Sequence, residues 1–128
     1  MVSMKLCCPV HPSEDHEKVW NAILKVFPSA ELVETEFGFE GEAKIEDLSF
    51  AIRRQKILDS TRKMMLKGVR GKKITLNLNK QVATVGKVSF AEHKSILGTL
   101  EVVIECDDTD ELIDKVAPTT VEGVEVRR

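Results

Sequence analysis

Apolar residues alternate with polar ones at the start of the chain. The apolar positions are Val2, Met4, Leu6, Cys8 and Val10. Because successive side chains of a strand point to opposite faces, this pattern predicts a half-buried strand. The next apolar residues, at positions 19, 20, 23, 24 and 27, have helical spacing. We therefore predict a first helix that is capped by Ser13 and stopped by Pro28.

A second helical pattern occupies the middle of the chain. Residues 30–39 before it predict one strand, and Gly38 and Gly41 indicate a bulge or turn at its end. Residues 43–45 either add a short strand or lead into the helix. The spacing predicts a single long helix over residues 48–67, capped by Asp47 and ended by Gly68. One arc of this helix is expected to be apolar and consists of Phe50, Ala51, Ile57, Leu58, Thr61, Met64 and Met65. Arg54 falls within that arc, where an arginine requires a carboxylate or a subunit partner.

The last third of the chain returns to strand patterns. Residues 73–79 alternate and predict a strand, after which Asn79 either caps a short helix over residues 80–85 or continues the strand. Residues 88–90 and 100–105 are expected to be paired strands. A final helix begins at residues 107–109 and precedes Pro118.

Strands before, between and after two apolar-faced helices predict an α+β fold. We expect a two-layer α/β sandwich, with a mixed sheet and helices on one face. The 128 residues should form a single domain, 1–128, with a flexible tail from about residue 119. No apolar run approaches the length of a membrane span, and the N-terminus lacks the pattern of a secretion signal. We therefore expect a cytoplasmic protein without membrane association.

Positive charge is concentrated in one segment of the chain. Residues 53–73 contain nine Lys and Arg but only one acid, Asp59, although the formal net charge of the whole chain is −2. Such a segment produces a positive field that favours a polyanionic partner. A basic helix face followed by the glycine turn at residues 68–73 is predicted to contact the phosphates of structured RNA. The candidate RNA-binding residues are Arg53, Arg54, Lys56, Lys63, Lys67, Arg70, Lys72, Lys73, Lys80, Gln81 and Lys87; a merely solvated helix face is the alternative.

Catalytic and metal-binding patterns are weak by comparison. Cys7 and Cys8 are neighbours in a predicted strand and point to opposite faces, so with His11 and His16 they do not make a convincing metal site. No nucleophile, base and orienting group occur in a recognisable arrangement. Five Phe, one Trp and no Tyr leave little material for stacking bases on a sheet. We therefore expect a binding protein rather than an enzyme, with no cofactor and no metal.

Several strings of residues resemble a known family. They are Arg-Arg-Gln-Lys-Ile-Leu-Asp at 53–59, Leu-Asn-Lys-Gln-Val-Ala at 78–83, Val-Gly-Lys-Val-Ser-Phe at 85–90, Leu-Ile-Asp at 112–114 and Ala-Pro at 117–118. The chain resembles the archaeal uncharacterised protein family 0201, which is often labelled RNA-binding. The resemblance implies a two-layer fold like that of the ribosomal protein that binds 5S rRNA, and a homodimer. It also makes six positions worth testing, namely Arg53, Arg54, Gln55, Lys80, Gln81 and Lys87.

Two other functions remain open at this point. The protein could be a non-catalytic partner of another protein, because some relatives in the resembled family are joined to a P-loop kinase-like module. Arg54 and a patch formed by Met64 and Met65 would then lie at the interface. Alternatively, it could be an enzyme that acts on a phosphorylated small molecule at residues 68–73. A pocket beside that turn with a carboxylate or a histidine would favour the enzyme.

Overall fold

The computed structural model describes residues 2–91, 98–121 and 124–125. Its elements in chain order are β1 (Ser3–Pro9), α1 (His16–Val26), β2 (Glu31–Glu34), β3 (Gly38–Ala43), α2 (Ile45–Gln55), α3 (Leu58–Lys67), β4 (Val69–Arg70), β5 (Lys73–Asn79), α4 (Lys80–Ala83), β6 (Thr99–Glu105), α5 (Thr109–Val116), β7 (Thr120–Val121) and β8 (Val124–Glu125).

Six strands form the main sheet in the order β2-β3-β1-β6-β5-β4. Every pairing between these strands is antiparallel, so the α+β class is confirmed but the mixed sheet was wrong. The reason lies partly in the connections, because β2 to β3 and β4 to β5 are hairpins, which reverse the chain. Strands β7 and β8 pair separately with each other, in the segment predicted to be a tail.

The core lies on one face of the sheet. The register places Met4 opposite Ile104 and Leu6 opposite Val102, and β5 continues these two rows. These side chains are almost completely buried in one cluster with Ile23 and Ile52 from the helices. Apart from the buried Thr99, the opposite face of β1, β5 and β6 carries exposed or half-buried residues, among which polar groups predominate. Helices therefore cover one face, and the two-layer arrangement is confirmed.

Helix α1 begins later than the sequence predicted. Asp15 is the N-cap residue, and its side chain accepts a hydrogen bond from the backbone N–H of Lys18 at 3.2 Å. Ser13 instead contacts His11, with 2.6 Å between Oγ and Nδ1. Both residues are good caps, and the turn formed by residues 11–14 leaves the role to Asp15.

The single strand predicted over residues 30–39 is a hairpin in the structure. Thr35 forms the turn, because its Oγ1 accepts from the backbone N–H groups of Phe37 and Gly38 at 3.3 and 3.2 Å. Gly38 has φ +154°, and a Cβ built there would lie 2.1 Å from the carbonyl oxygen of Cys8. Only glycine allows β3 to approach β1 so closely.

The long helix predicted over residues 48–67 is broken at Lys56. This residue adopts a left-handed conformation with φ 59° and ψ 43°. The backbone N–H of Ile57 donates to the carbonyl of Ile52 at 3.1 Å, and that of Lys56 donates to Arg53 at 3.2 Å. These two bonds define the Schellman ending of a helix. Asp47 is not the cap of α2, since its carboxylate accepts from the backbone and hydroxyl groups of Ser29 at 2.8 and 2.5 Å.

The remaining elements agree more closely with the sequence. Strands β5 and β6 are confirmed, as are the cap of α4 by Asn79 and a final helix that starts near residue 109. The expected pairing of residues 88–90 with residues 100–105 is wrong. Phe90 forms an isolated bridge with Leu78, because β6 is already flanked by β1 and β5. Within the described residues no helix is long and apolar enough to cross a membrane.

Candidate nucleic-acid interface

Four exposed cations lie together where α3 leads into the outermost strand β4. Lys63 and Lys67 are one helical turn apart on α3, Arg70 ends β4, and Lys72 lies in the following loop. We call these four residues the basic edge. Among the residues that the structure describes, no carboxylate forms a salt bridge with any of them, although Asp107 is close enough to Lys72 to interact with it electrostatically. Their charge is therefore available to an external anion.

The loop of the basic edge depends on Gly71. Arg70 pairs with Lys73, so Gly71 and Lys72 form a two-residue hairpin loop. Gly71 has φ +62°, which a first loop position of this kind requires, and no atom lies within 4 Å of a Cβ built there. Gly68 has a different role, because its Cβ would lie 2.1 Å from the carbonyl oxygen of Thr75. Gly71 therefore lies in the open turn that the sequence predicted, whereas Gly68 packs against the backbone of β5.

Arg70 is held in place by the end of α3. Its Nη1 donates to the carbonyl of Val69 at 2.7 Å and to that of Lys67 at 3.3 Å. A cation is favourable there, since the last carbonyls of a helix carry partial negative charge. The guanidinium keeps further N–H donors for an external acceptor.

Three of the predicted site residues join elements of the fold. Arg53 donates to the carbonyl of Lys115 at 3.3 Å, and Arg54 donates to Gly86 at 3.3 Å. Gln55 forms two bonds with the backbone of Val88, donating at 3.0 Å and accepting at 2.6 Å. Arg53 and Gln55 are half-buried. Two of the strings that carried the family resemblance, at 53–59 and 85–90, are thus in contact with each other.

The environment of Arg54 differs from the predicted one. Its guanidinium lies 5.6 Å from the centre of the Phe50 ring, and both residues are exposed. Phe50 is therefore not part of the apolar arc, because the break at Lys56 separates the two halves of the pattern. Met65 is fully buried, so it does not form the expected surface patch with Met64.

Lys80 is an internal residue, which corrects its prediction as a phosphate contact. Only 7% of the residue is exposed. Its Nζ donates to the carbonyl of Pro9 at 2.8 Å and lies 3.0 Å from the carboxylate of Glu14. Burial raises the pKa of Glu14, but the backbone N–H of His11 and the Lys80 ammonium outweigh it and lower that pKa. The ion pair thus connects α4 to the segment that follows β1.

The other candidates divide between the two ends of β5. Lys73 lies beside the basic edge but forms an ion pair with Glu105 at 3.2 Å. Gln81 and Lys87 are exposed beyond the far end of β5, about 20 Å away along a seven-residue strand. Lys56 is exposed at the break between α2 and α3. Gln81 and Lys87 therefore do not extend the basic edge.

A pocket of about 440 Å³ adjoins the basic edge. It lies beside β5, between Gly68, which accepts from the backbone N–H of Thr75 at 3.0 Å, and Ala91, which donates to the carbonyl of Asn77 at 2.8 Å. Its described lining includes Met64, Lys67, Arg70, Thr75, Asn77 and Ala91. The Oδ1 atom of Asn77 is buried and has no hydrogen-bond partner. Nothing in the sequence distinguished Asn77 from the other polar residues of β5, so sequence reasoning missed it.

The described residues show no cluster of side chains that is suited to bind a metal ion. In the described ranges no group of three or more His, Cys, Asp or Glu side chains is arranged to hold an ion. Cys8 and Cys106 are buried free thiols, and burial is the first cause that raises the pKa of Cys8, to about 11. Such thiols are poor ligands and poor nucleophiles at neutral pH.

Known proteins resemble this chain in sequence and in fold. A family model described as RNA binding matches residues 3–106. A protein of Sulfolobus acidocaldarius, named UPF0201 protein, is 41% identical over 125 residues, which cover 90% of this chain and 86% of the relative. A UPF0200/UPF0201 protein of Archaeoglobus fulgidus is 33% identical and covers 98% of this chain, but the match spans only 40% of that relative.

A crystal structure shows the same architecture. The UPF0201 protein from Methanococcus jannaschii superposes with a TM-score of 0.84 at 34% identity, over 99% of this chain and all of the other. These matches place the chain among the proteins that the RNA-binding family model describes. The chain belongs to the uncharacterised protein family 0201, UPF0201, as the resemblance of its sequence strings indicated.

Proposed function

We propose that this protein binds structured RNA by contacting phosphates with the basic edge. The observation that carries the proposal is the row of four exposed cations, Lys63, Lys67, Arg70 and Lys72, with which no described carboxylate forms a salt bridge. The description of the matching family model as RNA binding supports the same partner. Phosphate contacts position a protein on RNA but carry little sequence information. Affinity should therefore depend on charge and shape.

The proposal uses fewer residues than the sequence suggested. Lys73 forms an ion pair with Glu105, so we expect it to contribute less to RNA affinity than the four residues of the basic edge. Lys56 is exposed just before α3 begins. Arg53, Arg54, Gln55 and Lys80 have partners within the fold. Gln81 and Lys87 are too far from the basic edge to contact the same phosphates. A second contact at the far end of β5 would require an RNA that spans the length of the strand.

The test is RNA binding across a series of salt concentrations. The quadruple variant Lys63→Glu, Lys67→Glu, Arg70→Glu and Lys72→Glu should bind a structured hairpin RNA at least about a hundredfold more weakly at about 0.1 M salt. Its slope of log affinity against log salt should be shallower by about three, because four phosphate contacts are lost. Filter binding or fluorescence anisotropy measures both quantities.

A matched variant controls for net charge. Lys5, Lys18, Lys44 and Lys115 are exposed and lie outside the basic edge. Reversing these four changes the net charge equally, so we expect a much smaller loss of affinity and an almost unchanged slope. Equal losses in the two quadruple variants would show that only total charge matters and would contradict the basic edge as the site.

We prefer binding to the enzymatic alternative at the pocket that contains Asn77. The pocket beside residues 68–73 has no carboxylate and no histidine among its described lining residues. General acid–base catalysis requires such a group within hydrogen-bond reach of the substrate. A second pocket, on the side of Lys72 and Lys73, does contain the carboxylates Glu105 and Asp107, so the enzymatic alternative stays open at that position.

The homodimer implied by the family resemblance stays a prediction. Sedimentation equilibrium of the purified chain tests it, since one copy has a mass of 14.3 kDa. A mass near twice this value would support the dimer, and a single copy at micromolar concentration would contradict it. A separate protein partner would need a surface other than the proposed Met64 and Met65 patch, because Met65 is buried.

A further inference from the structure

The pocket beside the basic edge combines three features that suit one nucleotide. Its volume of about 440 Å³ lies within the range of small-molecule sites. Two cationic residues, Lys67 and Arg70, line the pocket and can bind a phosphate group. The half-buried side chain of Met64 and the methyl group of Ala91 provide apolar surface on other parts of the wall.

The buried side-chain oxygen of Asn77, a half-buried residue, is the most informative feature. Its Oδ1 has no hydrogen-bond partner among the described residues. Most buried polar atoms in native proteins are paired, so an unpaired acceptor beside a pocket indicates a missing donor. Because Oδ1 is buried in the free protein, a group that enters the pocket reaches it only after rotation about the Cβ–Cγ bond. The free protein loses no hydrogen bond of this oxygen when the amide rotates.

We propose that this pocket receives one unpaired nucleotide of the bound RNA, whose exocyclic amino group donates a hydrogen bond to Asn77 Oδ1. The inference rests on the proposed function, and it adds a single position of base readout to the phosphate contacts. RNA-binding proteins read sequence mainly in loops and bulges, where bases are free to leave the stack. An unpaired nucleotide can reach the pocket while the flanking duplex lies along the basic edge.

The chemistry of the pocket selects among the bases. Adenine, cytosine and guanine carry an amino group at the edge of the ring, and the polarisable thioether of Met64 can lie against an aromatic ring. Uracil has an imino group between two carbonyl oxygens, which repel an acceptor oxygen such as Oδ1. Aromatic side chains are scarce in this chain, so methionine takes the part that aromatic residues have in other RNA-binding modules.

The experiment varies one nucleotide of the RNA and leaves the protein intact. Four hairpins that differ only in a single bulged base, adenine, purine, cytosine or uracil, are compared by fluorescence anisotropy at fixed salt. Purine lacks only the amino group of adenine. We expect the adenine and cytosine bulges to bind about tenfold more tightly than the purine and uracil bulges, which is the effect of one hydrogen bond to a buried acceptor.

Protein variants identify the atom responsible. Asn77→Leu should bind all four hairpins with the affinity that the wild type has for purine, whereas the matched change Asn21→Leu on the exposed face of α1 should preserve the discrimination. Far-UV circular dichroism checks that both variants fold, and the purine comparison remains decisive if Asn77→Leu does not fold.

The outcomes separate the inference from the proposed function. Equal binding of all four bulges by the wild type would overturn the nucleotide pocket and leave phosphate binding standing. Discrimination that persists in a folded Asn77→Leu variant would assign the readout to another residue and would also overturn it. Failure of every hairpin to bind at low salt would remove the proposed function itself.

Discussion

Some charged and polar residues of this protein form contacts within the fold, whereas others are exposed and can bind an anion. The residue type alone does not distinguish the two groups. Lys80 and Lys67 are both lysines in the region that sequence reasoning assigned to RNA. Lys80 is 7% exposed and bonded to Pro9 and Glu14, whereas Lys67 is exposed on α3. The buried ammonium of Lys80 already has a carboxylate partner within the fold, whereas the exposed ammonium of Lys67 can pair with an external anion.

Gln55 offers the clearest test of a structural role. Gln55→Leu removes both side-chain bonds to Val88 and leaves the two backbone groups of that buried residue without these partners. We expect the free energy of unfolding to fall by about 1–3 kcal/mol, with RNA affinity unchanged. Chemical denaturation measures the first quantity and anisotropy the second.

The matched control for this change is Gln81→Leu, because Gln81 is an exposed glutamine on α4. Its free energy of unfolding should change by no more than about 0.5 kcal/mol. A Gln55→Leu variant as stable as the Gln81→Leu variant would contradict the role of Gln55 as a link between α2 and residues 86–88.

At the level of elements, the break between α2 and α3 is the main feature that the sequence did not reveal. Apolar residues on both sides of Lys56 keep an approximately helical spacing, and lysine is a good helix former, so no local signal marks a stop. Packing decides the matter, since α3 must bury Thr61 and Met65 while α2 buries Leu48 and Ile52. Glycine commonly occupies the left-handed position that Lys56 adopts.

Substitutions at Lys56 should therefore follow backbone conformation rather than charge. Lys56→Gly should raise the free energy of unfolding by about 0.5 kcal/mol, because relief of left-handed strain outweighs the entropy that glycine loses. Lys56→Val should lower it by about 1–2 kcal/mol, since a β-branched residue resists φ +59°. Lys56→Ala is the reference for lost charge, and thermal and urea unfolding give the values. A valine variant as stable as the alanine variant would rule out the left-handed conformation.

Other elements could be predicted because residues close together in the chain determine them. Strand β5 alternates strictly, and Asn79 and Asp108 cap the helices that follow them. The hairpin of β2 and β3 was missed because its turn uses Thr35 rather than the usual Asn-Gly or Asp-Gly pair. The basic segment in the sequence indicated where the candidate site lies. The structural roles of Arg53, Arg54 and Lys80 could not be predicted, because their partners are distant in the chain.

On the scale of the whole molecule, charge is separated across the sheet. The edge formed by β2 and β3 carries the exposed acids Glu31, Glu40 and Glu42, and the opposite edge at β4 carries the cations of the basic edge. Strand β2 is five strand spacings from β4, or about 24 Å, and β3 is four spacings from it, or about 19 Å. A charge at these distances is screened at physiological salt, where the Debye length is about 8 Å, but not at 0.01 M, where it is about 30 Å.

This separation predicts a salt-dependent effect of remote acids. Replacing Glu31, Glu40 and Glu42 with Gln should raise RNA affinity about two- to threefold at about 0.01 M salt and leave it unchanged at about 0.15 M. Anisotropy titrations at the two salt concentrations provide the comparison. An increase that persisted at the higher concentration would mean that RNA contacts the acidic edge directly.

The shortness of β4 has a consequence for colloidal behaviour. A molecule with one acidic and one basic sheet edge attracts copies of itself edge to edge, and each outer strand pairs on one side only in the part of the chain that the structure describes. Continuous strand addition requires a row of free backbone groups, however, and β4 has only two residues, Val69 and Arg70. Electrostatic attraction between copies therefore cannot develop into a long hydrogen-bonded ladder, which protects the protein against fibre formation at low ionic strength.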